Sequence, residues 1–252
     1  MGIPVMILGN SGTGKSASMR NLDPGTYGLI NVAGKPLPFR TDKHSINTDD
    51  YPTIIKALNR ATSDIIVIDD AQYTMANAYM RSATMKLTKD GVFDFYKTIA
   101  YDFWNLVQTV NSLPPQKVVY FLGHTEIDQF GNTKFKTIGK LLDDKITVEG
   151  LFTVVLRTAI VEGKYYFSTL NDGSDTVKSP IGLFNDRLIN NDLALVDAAI
   201  RNYYNFPAPF KATQAPAAAT FVQAGASTQP IKAAPAAAPA KGKEKAYANS
   251  LV

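Results

Sequence analysis

The sequence predicts an α/β fold: a mainly parallel sheet between helices, then a C-terminal β-hairpin, then a disordered tail. Three observations carry that expectation. The apolar run Ile3-Pro4-Val5-Met6-Ile7-Leu8 stops at the glycine-rich stretch Gly9-Asn10-Ser11-Gly12-Thr13-Gly14-Lys15-Ser16, the order of a buried strand, a tight turn and a helix start. Four β-branched residues, Ile65-Ile66-Val67-Ile68, precede Asp69-Asp70, as in a parallel strand buried on both faces. Residues 152–161 and 164–170 alternate apolar and polar side chains about Glu162-Gly163, which reads as a hairpin.

The remaining elements follow in chain order. Residues 15–21 form a short first helix, stopped by Asp23-Pro24-Gly25. The compact apolar run 27–32 is a second strand, and 33–50, rich in Gly, Pro and polar residues, is loop. Asp49 or Asp50 caps a helix that has Pro52 in its first turn and Ile54, Ile55 and Leu58 on one face. Residues 72–84 are helical, with Met75, Tyr79 and Met80 on the side that packs into the core. The longest helical pattern, 94–113, places Phe95, Ile99, Phe103, Leu106 and Val110 at helical spacing and ends at Pro114-Pro115. Residues 117–122 are another buried strand, leading into Gly123-His124-Thr125-Glu126, and 129–144 is a polar connection. A final amphipathic helix, 192–204, turns Leu195, Val196, Ala199 and Ile200 inward.

From Pro207 the composition shifts to Ala, Pro, Gln, Thr and Lys, which cannot bury enough apolar surface to offset chain entropy. The expected organisation is therefore a domain over 1–206 and a disordered tail over 207–252. The formal charge of +4 lies in that tail, where Lys211, Lys232, Lys241, Lys243 and Lys245 face Glu244 alone. The domain itself is neutral, so attraction to nucleic acid must come from a local patch or from the tail. The absence of cysteine excludes disulfides, thiolate metal sites and cysteine nucleophiles. Apolar runs are strand-sized and the N-terminus lacks a signal-peptide pattern, so the expectation is a cytoplasmic protein with no membrane span.

The glycine-rich stretch has the spacing of a phosphate-binding loop. Gly9, Gly12 and Gly14 allow the backbone N–H groups of Asn10, Ser11 and Thr13 to converge on an anion, with a helix N-terminus beneath. Lys15 reaches the β- and γ-phosphates of ATP, and Ser16 offers a hydroxyl to Mg²⁺. A second metal ligand is expected at the carboxyl end of a neighbouring parallel strand, where Asp69 stands. Hydrolysis needs a group that orients or deprotonates water. No acid follows the second strand before Asp42, so Asp70 is the first candidate, with Glu126 behind it. His124, at the end of the strand beside the metal strand, is placed to hydrogen-bond the γ-phosphate.

The loop, the strand ending in Asp69, the polar strand end at His124 and the terminal hairpin resemble a RecA-type P-loop core. More closely, residues 1–180 resemble compact phage-encoded ATP-binding proteins of DNA recombination and single-strand annealing. RecA-type proteins carry a catalytic glutamate after the second strand, and this chain does not. The resemblance implies a homo-oligomer in which a lysine after the hairpin, matched by Lys178, reaches a neighbouring subunit's phosphate. It also places mobile DNA-contacting loops near Lys134, Lys136 and Lys140, where Phe130 and Phe135 offer faces for stacking on bases.

The leading expectation is thus a Mg²⁺-dependent ATPase acting on single-stranded DNA in phage recombination or replication, with the tail recruiting a partner protein. One alternative is a nucleotide-gated adaptor, resembling a helicase loader, with little turnover. Another is a nucleotide kinase, disfavoured because the arginines are scattered and form no lid.

Overall fold

The computed structural model describes residues 1–85, 88–138 and 145–207. The expected tail lies outside the described residues from 208 onward, as do Lys140 and the rest of 139–144.

Eight of the strands among the described residues form one sheet. In chain order they are β1 (Ile3–Leu8), β2 (Tyr27–Asn31), β3 (Ile46–Asn47), β4 (Ile65–Asp69), β5 (Val118–Gly123), β8 (Val154–Val161), β9 (Lys164–Ser168) and β10 (Leu188–Asn190). The two strands between β5 and β8, β6 (Thr125–Ile127) and β7 (Thr133–Phe135), form a separate antiparallel pair. The order across the large sheet is β10-β9-β8-β1-β5-β4-β2-β3. Pairings from β8 to β3 are parallel, while β9 and β10 run antiparallel.

Helices α1 (Tyr51–Arg60), α2 (Tyr73–Ser82) and α3 (Lys89–Ser112) cover one face of the sheet, and α4 (Leu193–Tyr203) covers the other. Strand alternation divides the core between them. Met6, Leu8, Ile66, Ile68, Val119 and Phe121 pack with Ile54, Met75 and Phe103, while Val5, Ile7, Val67, Tyr120 and Leu122 pack with Met19, Val196 and Ile200. Burial on both faces explains why β1 and β4 are uninterrupted apolar runs. The caps follow the sequence: Asp50 accepts from the Thr53 amide, Thr88 from Gly91 and Asp192 from Ala194.

Several expectations are corrected. The first helix is a six-residue 3₁₀ helix, Ser16–Asn21, so short a piece that tight i→i+3 bonding suffices before Asp23-Pro24-Gly25 ends it. The long loop after β2 contains β3, two exposed residues on the sheet edge, too short to show a period. On α2 only Met75 is core. Tyr79 and Met80 are 41% and 66% exposed, Tyr79 meeting the ring of Tyr96 on α3 at 5.9 Å at the surface rather than in the core. Helix α3 starts earlier than its apolar pattern, at the Thr88 cap. The hairpin, by contrast, turns where expected, at Glu162 (φ 50°) and Gly163 (φ 75°), both left-handed as a two-residue turn requires, and Val161 pairs Lys164. Part of the polar connection is also folded, as β6 and β7. There Phe135 is buried, stacked on Phe103 at 5.4 Å, so it offers no face to a base.

Candidate functional site

Strand β1 delivers the glycine-rich loop to the carboxyl edge of the sheet, where Leu8 pairs with Gly123 of β5 and Arg157 of β8. Gly12 (φ 77°) and Gly14 (φ 98°) hold left-handed backbone that a side chain would strain. Gly9 is required for another reason: a Cβ there would lie 1.9 Å from Thr158 Oγ1. That hydroxyl, from β8, braces the loop. It lies 2.6 Å from Thr13 Oγ1 and 3.2 Å from the Leu8 carbonyl, and Thr13 Oγ1 lies 2.7 Å from the Asn10 carbonyl, so the two hydroxyl protons serve two of these three contacts at a time. Asn10 is held from the other side, its Oδ1 accepting from Thr125 Oγ1 at 2.7 Å. Ser11 and Gly12 form the exposed crest.

Lys15 is folded into this cradle, its Nζ donating to the Gly9 carbonyl at 2.9 Å and the Asn10 carbonyl at 2.8 Å. Burial lowers its pKa to about 8, against the pull of Asp70 and Asp69. A buried ammonium held by neutral carbonyls is a receptor for an anion, since a phosphate oxygen would give a stronger, charge-assisted bond.

Ser16 Oγ donates to Asp69 Oδ1 at 2.8 Å. The two residues come from the loop and from β4, with β5 between their strands. Burial, then the neighbouring Asp70 charge, pushes the Asp69 carboxyl up to about 6, with Ser16, Lys35 and Lys15 opposing. A hydroxyl and a carboxylate side by side fit Mg²⁺, a hard cation that takes oxygen ligands and keeps water and phosphate in its remaining positions. Among the described residues no group of three or more His, Asp or Glu could hold a metal by itself. The pair therefore suits an ion that arrives with a polyphosphate.

Asp70 follows in left-handed backbone (φ 60°), which Asp tolerates better than most residues. Its buried carboxylate lies between the Lys35 ammonium and the His124 imidazole, whose Nε2 is 3.4 Å from Oδ1. Burial raises the pKa of this acid, but its contacts with His124 and Lys35 outweigh burial and leave it lowered. His124 is fixed by its amide, which donates to Gln72 Oε1 at 3.2 Å, and by the edge of Tyr73 at 6.1 Å. Glu126, the second candidate base, is instead engaged by Lys134 at 3.3 Å on the β6–β7 pair.

The structure thus brings together Gly9–Ser16, Asp69, Asp70 and His124. It does not bring Lys178 to them. The backbone of Lys178 pairs with Val155, with bonds of 2.9 and 2.8 Å, in the gap below the point where β9 leaves β8. Val155 is level with Met6, before the end of β1, and the acid that acts on Lys178 is Glu149.

Sequence reasoning missed three contributors. Thr158 lies 145 residues from its partner Thr13, on a strand with no motif. Lys35 sits in a turn held by Asn31, which reads as a residue within the second strand, and Gly34, which reads as ordinary loop. Asn191 is buried beside Gly14, with both side-chain polar atoms unpartnered and 3.1 Å from where a Gly14 Cβ would stand. Only the Gly34 turn signal could have been found in advance.

Residues 1–179 match a protein family described as an AAA domain. No curated protein sequence matches the chain.

Proposed function

The chain belongs to the AAA-domain family, and we propose that it is a Mg²⁺-dependent ATPase that acts on single-stranded DNA as a homo-oligomer. The Ser16–Asp69 hydrogen bond at 2.8 Å, beside the buried Lys15 ammonium, is the observation that carries the ATPase reading. In it, Gly9, Asn10, Ser11, Gly12, Thr13 and Gly14 wrap the phosphates and Lys15 moves from the Gly9 and Asn10 carbonyls onto β- and γ-phosphate oxygens. Ser16 and Asp69 hold Mg²⁺, which supplies charge neutralisation on the phosphates when bound. Asp70 orients the attacking water and takes its proton, and His124 contacts the γ-phosphate side. Lys178, remote from its own loop, serves a neighbouring subunit's triphosphate.

The DNA reading rests on the β6–β7 pair, which leaves the sheet at His124 and exposes Ile127 and Phe130 (74% and 79%) beside Lys134 and Lys136. Exposed apolar and aromatic side chains among lysines suit stacking on unpaired bases along a phosphate backbone. A role in phage recombination or replication, with the tail recruiting a partner, rests on the family likeness of the sequence. None of the helices among the described residues is long and apolar enough to cross a membrane.

A second reading, a nucleotide-gated adaptor with little turnover, is favoured by one observation: Asp70 is already occupied by Lys35 and His124. ATP hydrolysis measured with and without single-stranded DNA across a salt series separates the two. The ATPase reading expects Mg²⁺-dependent turnover raised by DNA at low salt. Tight ATP binding with negligible turnover in every condition would establish the adaptor instead, and turnover indifferent to DNA, with no DNA retained at low salt, would remove the DNA role.

A further inference from the structure

We propose that Lys35 is a γ-phosphate-binding residue that exchanges its partner, Asp70, for the terminal phosphate of a bound triphosphate; this rests on the ATPase site described above. Lys35 follows β2, at the edge where a carboxylate would serve as base, and its charge there is of opposite sign.

The turn that carries Lys35 is built. Asn31, the last residue of β2 and 4% exposed, clamps it with two bonds: its Oδ1 accepts from the Gly34 amide at 2.9 Å, and its Nδ2 donates to the Lys35 carbonyl at 2.7 Å. Gly34 supplies the left-handed backbone (φ 64°) that closes the turn. Asn31 is in register with Asp69 on the adjacent strand. The clamp therefore aims the lysine stem across the carboxyl end of β4, and the ammonium lands on Asp70.

Three adjacent strands contribute to this cluster: β2 through Lys35, β4 through Asp69 and Asp70, and β5 through His124, which follows its last residue. Lys15 is near enough to feel the charges of Asp69, Asp70 and Lys35 together. Two ammonium groups then balance two carboxylates at this corner. A triphosphate with one Mg²⁺ adds net negative charge, so the phosphate competes with Asp70 for a cation. Lys15 is buried and already serves the β- and γ-phosphate oxygens in that site, so it is not the cation that Asp70 gives up. Lys35 is the free-swinging one: its side chain is 52% exposed, and its four-carbon stem can turn while the Asn31 clamp keeps the backbone still.

Departure of Lys35 has a chemical consequence for Asp70. With its ammonium partner gone, the carboxylate can accept a proton from water. The water oxygen bonds to the γ-phosphorus as the bond from phosphorus to the β–γ bridging oxygen breaks. The electron pair leaves on ADP, the proton passes to Asp70, and Lys35 carries part of the charge on the γ-phosphate oxygens. A diphosphate leaves Lys35 on Asp70, so the swap distinguishes ATP from ADP.

The test is equilibrium binding of ATPγS and ADP, each with Mg²⁺, to the full chain as wild type, Lys35→Ala, Lys35→Arg, Asp70→Asn and Lys35→Ala/Asp70→Asn, with melting curves to confirm folding. Loss of a charge-assisted bond should weaken ATPγS by about tenfold or more in Lys35→Ala while ADP stays within about twofold. Lys35→Arg should retain most of the preference for triphosphate. Asp70→Asn, which frees the lysine, should keep or strengthen it. Equal weakening of both nucleotides, or of neither, overturns the proposal. So does a Lys35→Ala effect that disappears in the Asp70→Asn background, since the lysine would then act only by holding Asp70. Wild-type protein that binds neither nucleotide would instead remove the site reading on which this rests.

Discussion

Ser16 and Asp69, 53 residues apart in sequence, meet through a 2.8 Å hydrogen bond at the carboxyl edge of the sheet. The contact joins the end of the glycine-rich loop to the end of β4 across the intervening β5. It makes the two residues one oxygen-donor pair. Asp69→Asn keeps the shape but removes the charge, so nucleotide affinity measured in EDTA should stay within about threefold of wild type. The additional affinity conferred by Mg²⁺ should fall by about tenfold or more. Unchanged Mg²⁺ dependence would move the metal away from this pair.

The same carboxylate sets a pH dependence. Burial raises the Asp69 pKa to about 6, above the value of about 3.9 for an unfolded chain, so the folded state binds this proton more tightly. Stability from this group is therefore fully present below about pH 4 and is lost as pH rises through about 6, by about 3 kcal/mol. The difference in urea stability between wild type and Asp69→Asn, followed from pH 4 to 7, should show the slope. A flat difference would mean that Asp69 ionises as an ordinary surface acid.

Lys15 has the opposite shift. Its pKa is lowered to about 8, below the ordinary lysine value, so the folded state gives up this proton more readily than the unfolded chain. Stability without ligand should rise as pH increases from about 8 to about 10.4. Bound phosphate restores the charge, so binding at pH 8.5 should take up protons. Calorimetry in buffers of different ionisation enthalpy measures that uptake. No uptake would mean that Lys15 does not meet the phosphates.

How much of this was legible in the chain depended on sequence distance. Gly9–Ser16 is contiguous, and β4 with Asp69 is a short apolar run with a charged end, so local pattern sufficed for both. Thr158, Lys35 and Asn191 reach the same site through pairings of distant strands, which leave no periodic trace. The β6–β7 pair was hidden because each strand is three residues long, too short for alternation to stand out from polar loop. Phe135 shows the same limit. Its burial depends on Phe103 of α3 and on Gly123, where a Cβ would come within 2.3 Å of its ring.

Thr158 offers a test of the brace under the loop. Thr158→Val removes the hydroxyl that contacts Thr13 Oγ1 and the Leu8 carbonyl, and should lower stability by about 1 kcal/mol. Nucleotide affinity should drop several-fold in a filter-binding assay. Gly9→Ala should be far worse, because its Cβ meets that hydroxyl at 1.9 Å. Adding Thr158→Ala should recover part of the loss. Equal stability of Gly9→Ala and wild type would contradict the packing described.

On the β6–β7 pair the two phenylalanines should separate cleanly. Phe130→Ala, at an exposed tip, should weaken single-stranded DNA binding several-fold and leave the melting temperature within about 1 °C. Phe135→Ala opens a core cavity and should cost about 3–5 kcal/mol. Fluorescence anisotropy of a labelled oligonucleotide, with a thermal melt of each variant, checks both.

The most direct measurement is equilibrium binding of a fluorescent ATP analogue to wild type and Lys15→Ala, each with and without Mg²⁺. Wild type should bind, more tightly with Mg²⁺, and Lys15→Ala should lose at least about tenfold in affinity while remaining folded. Wild-type protein that fails to bind, or a Lys15→Ala variant that binds as well as wild type, would contradict the account.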